Sequence, residues 1–251
     1  MKNIQMSLFW RSTIFITSAV ANFFAFHAIA RYFGSADPTW MATLITVSVV
    51  VHECAHAIVM TIYGLKPLMF FALVIGGAMP TQIEKMKQLP WSRMAAITLA
   101  GPFANLVLVG VGALLYLGDI VTIRQFDQIA SVNTQLFFLN LLPFSILDGG
   151  RFTKLLFDSV PEHLDLRFAR TLGVALVAIV FVTSIFTHRT TALTTMIFYF
   201  GLVHRAFRDD PVGSRNRQAI KPQEQIRWAV FYGAMLCVGG VLFNMIPDWM
   251  E

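Results

Sequence analysis

Charge is the first thing this 251-residue sequence has little of. Asp, Glu, Lys and Arg make up 13% of it, about half their share in an ordinary soluble domain. A water-soluble fold of this size needs more polar surface than that, so the scarcity excludes one. Cysteine is almost absent as well. Cys54 and Cys237 both sit in apolar runs, which excludes a disulfide framework. The first apolar run is not followed by a small-residue cleavage site and a polar mature domain, so it reads as a retained membrane helix rather than a signal peptide. There is no internal repeat, no low-complexity tract and no stretch polar enough to form a soluble domain.

What remains is apolar. Hydrophobic residues make up 56% of the chain and the mean hydropathy is +0.64. Spanning a bilayer takes about 20 mostly apolar residues in a helix. Runs of that kind fall at 12–30, 39–63, 95–117, 128–147, 168–187, 191–205 and 228–247. The sequence thus predicts an all-α, multi-pass membrane protein with about seven helices, six if the short run at 191–205 does not span.

Seven spans with the N-terminus inside put the segments 81–93, 151–167 and 206–227 in the cytosol, and 31–38, 118–127 and 188–190 outside. Of the 19 Lys and Arg residues, only Arg31, Arg124 and Arg189 then lie outside. That is the positive-inside pattern. It accounts for the net charge of +5 and removes any need for a nucleic-acid partner. The chain is expected in the cell (inner) membrane as a single embedded domain over 1–251, with a core at 39–158 and further helices at 168–251.

Chemistry concentrates in the second run, which ends in His52-Glu53-Cys54-Ala55-His56. Residues four apart share a helix face, so His52 and His56 can present their imidazoles to one metal ion. Glu53 lies part of a turn round, in reach as a general base. It is the only acidic or basic residue between Asp37 and Lys66, and a charge deep in an apolar helix is costly enough to mark function. A Glu–His cluster could instead glue helices together, but glue does not need this spacing.

Two histidines leave a catalytic zinc site incomplete, since such sites usually have three protein ligands. Asp148 ends the charge-free stretch 128–147, after Asn140-Leu-Leu-Pro143 and before Gly149-Gly150. It is a candidate third ligand, with a plain turn residue as the other reading. Pro143 should break or kink the helix, while the glycines allow left-handed angles and a close approach to another segment. His27, His163, His188 and His204 are competing ligands that read better as interfacial side chains. In the third run, Gly101-Pro102-Phe103-Ala104-Asn105 frees backbone groups that its neighbours must satisfy. Asn105 there either bonds between helices or lines a cavity.

Between the second and third runs, the helix should end near Tyr63-Gly64. The eight apolar residues Leu68 to Ile75 are too few to span, and Gly76-Gly77 with Pro80 supplies turn residues to close the segment. The expectation is a short re-entrant strand or hairpin beside the metal. Its unpaired edge would offer hydrogen bonds to an unwound substrate, which makes Gly76 and Gly77 candidate substrate-binding residues. A loop that plugs the bundle is the plainer reading.

Taken in order, His52-Glu53-Cys54-Ala55-His56, Gly101-Pro102-Phe103-Ala104-Asn105 and Asn140-Leu-Leu-Pro143 through Leu147-Asp148-Gly149 resemble the site-2 protease family of intramembrane metalloproteases. The resemblance covers about residues 39–158. It implies one zinc per chain held by His52, His56 and Asp148, with Glu53 activating water. It also implies that Asn140, and more weakly Asn105, lies beside the zinc and helps hold substrate or the oxyanion. The metal would sit inside the membrane toward the cytosolic side, and the substrates would be transmembrane segments of other proteins. Ala55 stands where the family often has Gly, and neither a PDZ nor a CBS domain fits in the loops. Two other classes are compatible with the same fold, namely a catalytically silent scaffold or chaperone and a metal transporter. An intact Glu53 and Asp148 disfavour the first. Charged residues clustered at one depth disfavour the second.

Overall fold

The computed structural model describes residues 7–72, 75–142, 147–157 and 222–245. Helix α1 (Leu8–Tyr32) starts on Ser7, whose hydroxyl accepts from the Trp10 amide, and α2 (Pro38–Ile62) starts on Asp37, whose carboxylate does the same for Trp40 at 2.9 Å. Pro38 opens α2, where its missing N–H costs nothing. The helix stops as the sequence predicts. Gly64 takes φ +72°, its amide donates to the Thr61 carbonyl at 2.8 Å and the Leu65 amide to that of Met60 at 2.9 Å. These two bonds satisfy carbonyls that the last turn leaves open.

The chain then makes an antiparallel hairpin of β1 (Pro67–Ala72) and β2 (Ile75–Pro80), in a register that pairs Pro67 with Pro80 and Ala72 with Ile75. The expected β segment is there, but one detail is corrected. Gly76 and Gly77 do not close it as a turn; they lie within β2, opposite Phe71 and Phe70. The hairpin packs between α1 and α2, with the Phe15 and Phe71 rings 5.5 Å apart. A short α3 (Ile83–Lys87) leads to α4 (Trp91–Leu117), which passes through Pro102 without ending. The segment 81–93 is therefore partly helical.

Helix α5 (Ile123–Leu141) begins with a capping box, in which the Thr122 hydroxyl accepts from the Gln125 amide and the Gln125 side chain accepts from the Thr122 amide. It ends at Leu141, two residues before Pro143, so the predicted run 128–147 is not one helix. Asp148 instead opens a new helix, α6 (Asp148–Phe157), which takes in the first residues of the segment 151–167. Helix α7 (Pro222–Met245) packs against α5 and α6.

Among the described residues, three helices are long and apolar enough to cross a membrane: Phe9–Tyr32, Pro38–Ile62 and Trp91–Leu117. The apolar part of α7, Ile226–Leu242, is shorter. The predicted runs 168–187 and 191–205 lie outside the described residues. Large apolar side chains such as Phe9, Ile16, Phe24, Val107 and Leu114 are exposed, as lipid-facing positions require. The main core runs from Met60 and Leu65 through Trp91, Met94 and Ile97 to Phe137, Phe152 and Tyr232. It is closed at one end by the rings of Trp91, Phe152 and Trp228 and by the Trp91 indole N–H, which donates to the Leu155 carbonyl at 2.8 Å.

Gly64 is the residue on which the α2-to-hairpin turn depends. A Cβ at left-handed angles costs about 1–2 kcal/mol. Gly64→Ala is expected to lower stability by that amount, read as a drop in Tm of the detergent-solubilised protein.

Candidate metal centre

Helix α2 presents His52 and His56 on one face, one turn apart, and both are buried. The imidazole Nε2 atoms lie 3.2 Å from each other, and each is 3.1 Å from Oδ2 of Asp148 at the start of α6. The ligand atoms of these three residues all fall within 4.8 Å of one another, and no other such group of His, Cys, Asp or Glu occurs among the described residues.

The rest of each imidazole is held from behind. His56 Nδ1 meets the Ile97 carbonyl at 2.6 Å, and His52 Nδ1 meets Oδ1 of Asn105 at 2.6 Å. A carbonyl oxygen can only accept, so these contacts place the proton on Nδ1 and leave each Nε2 lone pair free. That is the arrangement a metal-binding histidine needs. The Asp148 carboxylate divides its oxygens, with Oδ2 toward the imidazoles and Oδ1 3.7 Å from the half-exposed Arg151 guanidinium. Glu53 follows His52 in α2 and is also buried.

Room for an ion between the imidazoles comes from α4. A Cβ built on Gly101 would lie 2.3 Å from Nε2 of His56 and 2.4 Å from Nε2 of His52. No side chain fits there, so glycine at this position leaves both Nε2 atoms unobstructed from the α4 side. Buried imidazoles with bare Nε2 atoms, a carboxylate and a gap lined by glycine form a donor set suited to zinc.

Asp148 is held in place by backbone packing and by α7. A Cβ on Gly149 would lie 2.1 Å from the Leu141 carbonyl oxygen, so the close approach predicted for this glycine is its role, and helical angles rather than left-handed ones serve it. The Tyr232 hydroxyl donates to the Leu141 carbonyl and lies 3.3 Å from that of Gly149, while the Thr153 hydroxyl donates to Gly149 at 2.7 Å. The two ends of the stretch carrying Asp148 are thereby tied together.

The remaining predicted residues are placed as follows. Asn105 is fully buried in α4 with its carbonyl oxygen on His52. Asn140 is half-buried near the end of α5, and its amide donates to the Leu136 carbonyl at 2.9 Å. Gly76 and Gly77 lie in β2, and the Phe70 ring covers Gly77. His27 lies in α1 beside Phe23, and His163, His188 and His204 are outside the described residues. Sequence reading missed Tyr232 and Arg151. Arg151 could have been found as the basic residue three positions after Asp148; nothing local marks Tyr232.

Residues 40–121 match the family model for Peptidase family M50. Over 110 residues the chain is 28% identical to Stage IV sporulation protein FB of Bacillus subtilis (strain 168), covering 44% of this chain and 38% of that protein. The chain thus spans less than half the length of that relative. It shares its fold with the Site-2 Protease from Methanocaldococcus jannaschii at a TM-score of 0.53 and 19% identity, over 82% of this chain and 93% of that one.

Because Gly101 leaves the gap between the imidazoles, Gly101→Ala is expected to push both rings apart. Metal analysis of the purified variant should show loss of most bound zinc, with helix content unchanged by circular dichroism.

Proposed function

We propose that this chain, whose residues 40–121 match the model for Peptidase family M50, is a zinc endopeptidase cutting peptide bonds in transmembrane segments of other proteins. One observation carries the proposal: His52, His56 and Asp148 converge within 4.8 Å beside a buried Glu53, on a helix apolar enough to span a membrane.

His52, His56 and Asp148 would hold the ion, one per chain. When bound, zinc supplies polarisation of a carbonyl and acidification of a water. Glu53 accepts the proton of the water that attacks the scissile carbonyl, then returns it to the leaving amine. Its burial among apolar helices keeps bulk water away from that transfer. Asn140, near the end of α5, would donate to the substrate or to the oxyanion once its amide leaves the Leu136 carbonyl.

A substrate helix hides its carbonyls in its own hydrogen bonds, so it must unwind before attack. The β1–β2 hairpin offers it backbone partners, and the unwound segment would add as another strand. Gly76 and Gly77, inside β2 rather than in a turn, suit a place where a second backbone approaches closely. The orientation follows from the distribution of Lys and Arg: the N-terminus is cytosolic, and the site lies in the membrane toward that side. We assign the chemistry to the core 39–158 and read 168–251 as further helices of the same embedded domain.

Glu53→Gln is expected to keep the fold and one zinc per chain, and to lower cleavage of a transmembrane substrate by a factor of about 100 to 10,000, the usual range for a general base. Near wild-type turnover of the purified variant would overturn the mechanism. For orientation, single cysteines replacing Gln88 and Ile120 in a chain lacking Cys54 and Cys237 should react with impermeant reagent from the cytosolic and the outer face respectively; the reverse pattern would invert the topology.

A further inference from the structure

Behind His52 lies a chain of side chains whose direction is fixed from its far end. Asn133, in α5, donates its amide N–H to the Ile129 carbonyl at 2.9 Å. That carbonyl can only accept, so the amide nitrogen of Asn133 must face it and its Oδ1 must face the other way. Oδ1 in turn accepts from the amide nitrogen of Asn105 at 3.0 Å, and that nitrogen also lies 3.4 Å from the Ser48 carbonyl. The Asn105 Oδ1 is then left facing Nδ1 of His52. Each link removes one choice from the next, and the last choice removed is the tautomer of His52.

We propose that Asn133 is a positioning residue for the metal centre: through Asn105 it fixes the proton of His52 on Nδ1 and so keeps Nε2 available to the ion. The inference rests on the reading of His52 as a zinc ligand. His56 needs no such relay, because Nδ1 of that residue meets a backbone carbonyl directly. Asn133 and Asn105 are 1% and 0% exposed. At that depth no bulk water replaces a missing partner, so a reversed amide leaves donors facing donors and the whole chain holds one direction. Without Asn133, Asn105 keeps only the longer contact to Ser48, and its amide can turn to offer a donor to Nδ1. His52 would then carry its proton on Nε2, where the ion should bind.

The plainer alternative is that Asn133 only ties α4 to α5. The test uses the full chain in detergent. In metal-free protein labelled with 15N-histidine, the His52 signals are assigned by their loss in His52→Gln. Wild type should show a protonated Nδ1, and Asn133→Leu a mixture of the two tautomers. Zinc affinity, by competition with a chelator, should fall in Asn133→Leu by about 10- to 100-fold, as for other outer partners of metal ligands. Asn105→Ala should lose at least as much, and the double variant no more than Asn105→Ala alone, because Asn133 acts only through Asn105. Additive losses, or a lower affinity that follows reduced Tm with the tautomer unchanged, would make Asn133 a helix tie and overturn the proposal. If Asn133→Leu does not fold, Asn133→Asp decides, since it keeps the oxygen that accepts from Asn105. Wild-type tautomer and affinity in that variant support the relay, and a changed tautomer in a folded protein overturns it. Neither readout depends on cleavage, so a failure of the protease reading would leave this result standing on its own.

Discussion

Two imidazoles and a carboxylate converge here among apolar helices, and the demand that buried polar atoms find partners inside the protein shapes everything around them. Each Nδ1 has an acceptor, Ile97 on one side and Asn105 on the other. Each ligand atom faces the shared gap that Gly101 leaves open. Helix α4 serves both needs within three turns, since Ile97, Gly101 and Asn105 follow at spacings of four and so share one face. Pro102 is tolerated in that helix beside neighbours that pack closely on it. Helix α4 therefore contributes no side chain to the His52–His56–Asp148 cluster and is still the element that holds both imidazoles of α2 from behind.

The sequence made legible what depends on local periodicity. The i, i+4 spacing of His52 and His56, the stop at Gly64, the break before Pro143 and the short β segment are all consequences of a few neighbouring residues. Less legible were features decided by contacts across the chain. Asp148 looked like either a ligand or a turn, and only the approach of α6 to α5 makes it the first residue of a helix aimed at two imidazoles. Gly76 and Gly77 looked like a turn because glycine after an apolar run usually is one; pairing with Phe71 and Phe70 overrode that. Asn105 was read as a cavity or bridging residue, and its partner turned out to lie 53 positions earlier. Tyr232 had no local signal at all, because its contacts to Leu141 and Gly149 span 91 and 83 positions.

The two histidines are also held with different stiffness. His56 leans on a backbone carbonyl of a packed helix, which moves only if α4 moves. His52 leans on a side chain, and that side chain on another. Side-chain amides can rotate about their own bonds without displacing a helix, so any adjustment of the three-residue cluster falls more easily on the His52 side.

Tyr232 bears on where this molecule can be divided. The segment 39–158 holds His52, Glu53, His56 and Asp148, yet the hydroxyl that joins the Leu141 and Gly149 carbonyls belongs to α7, which starts at Pro222. A fragment trimmed to that segment would retain all four of these side chains and lose the clasp across the break that carries Asp148. The smallest unit that contains the His52–His56–Asp148 cluster is thus shorter than the smallest unit that can keep its geometry, and helix α7 is part of the second.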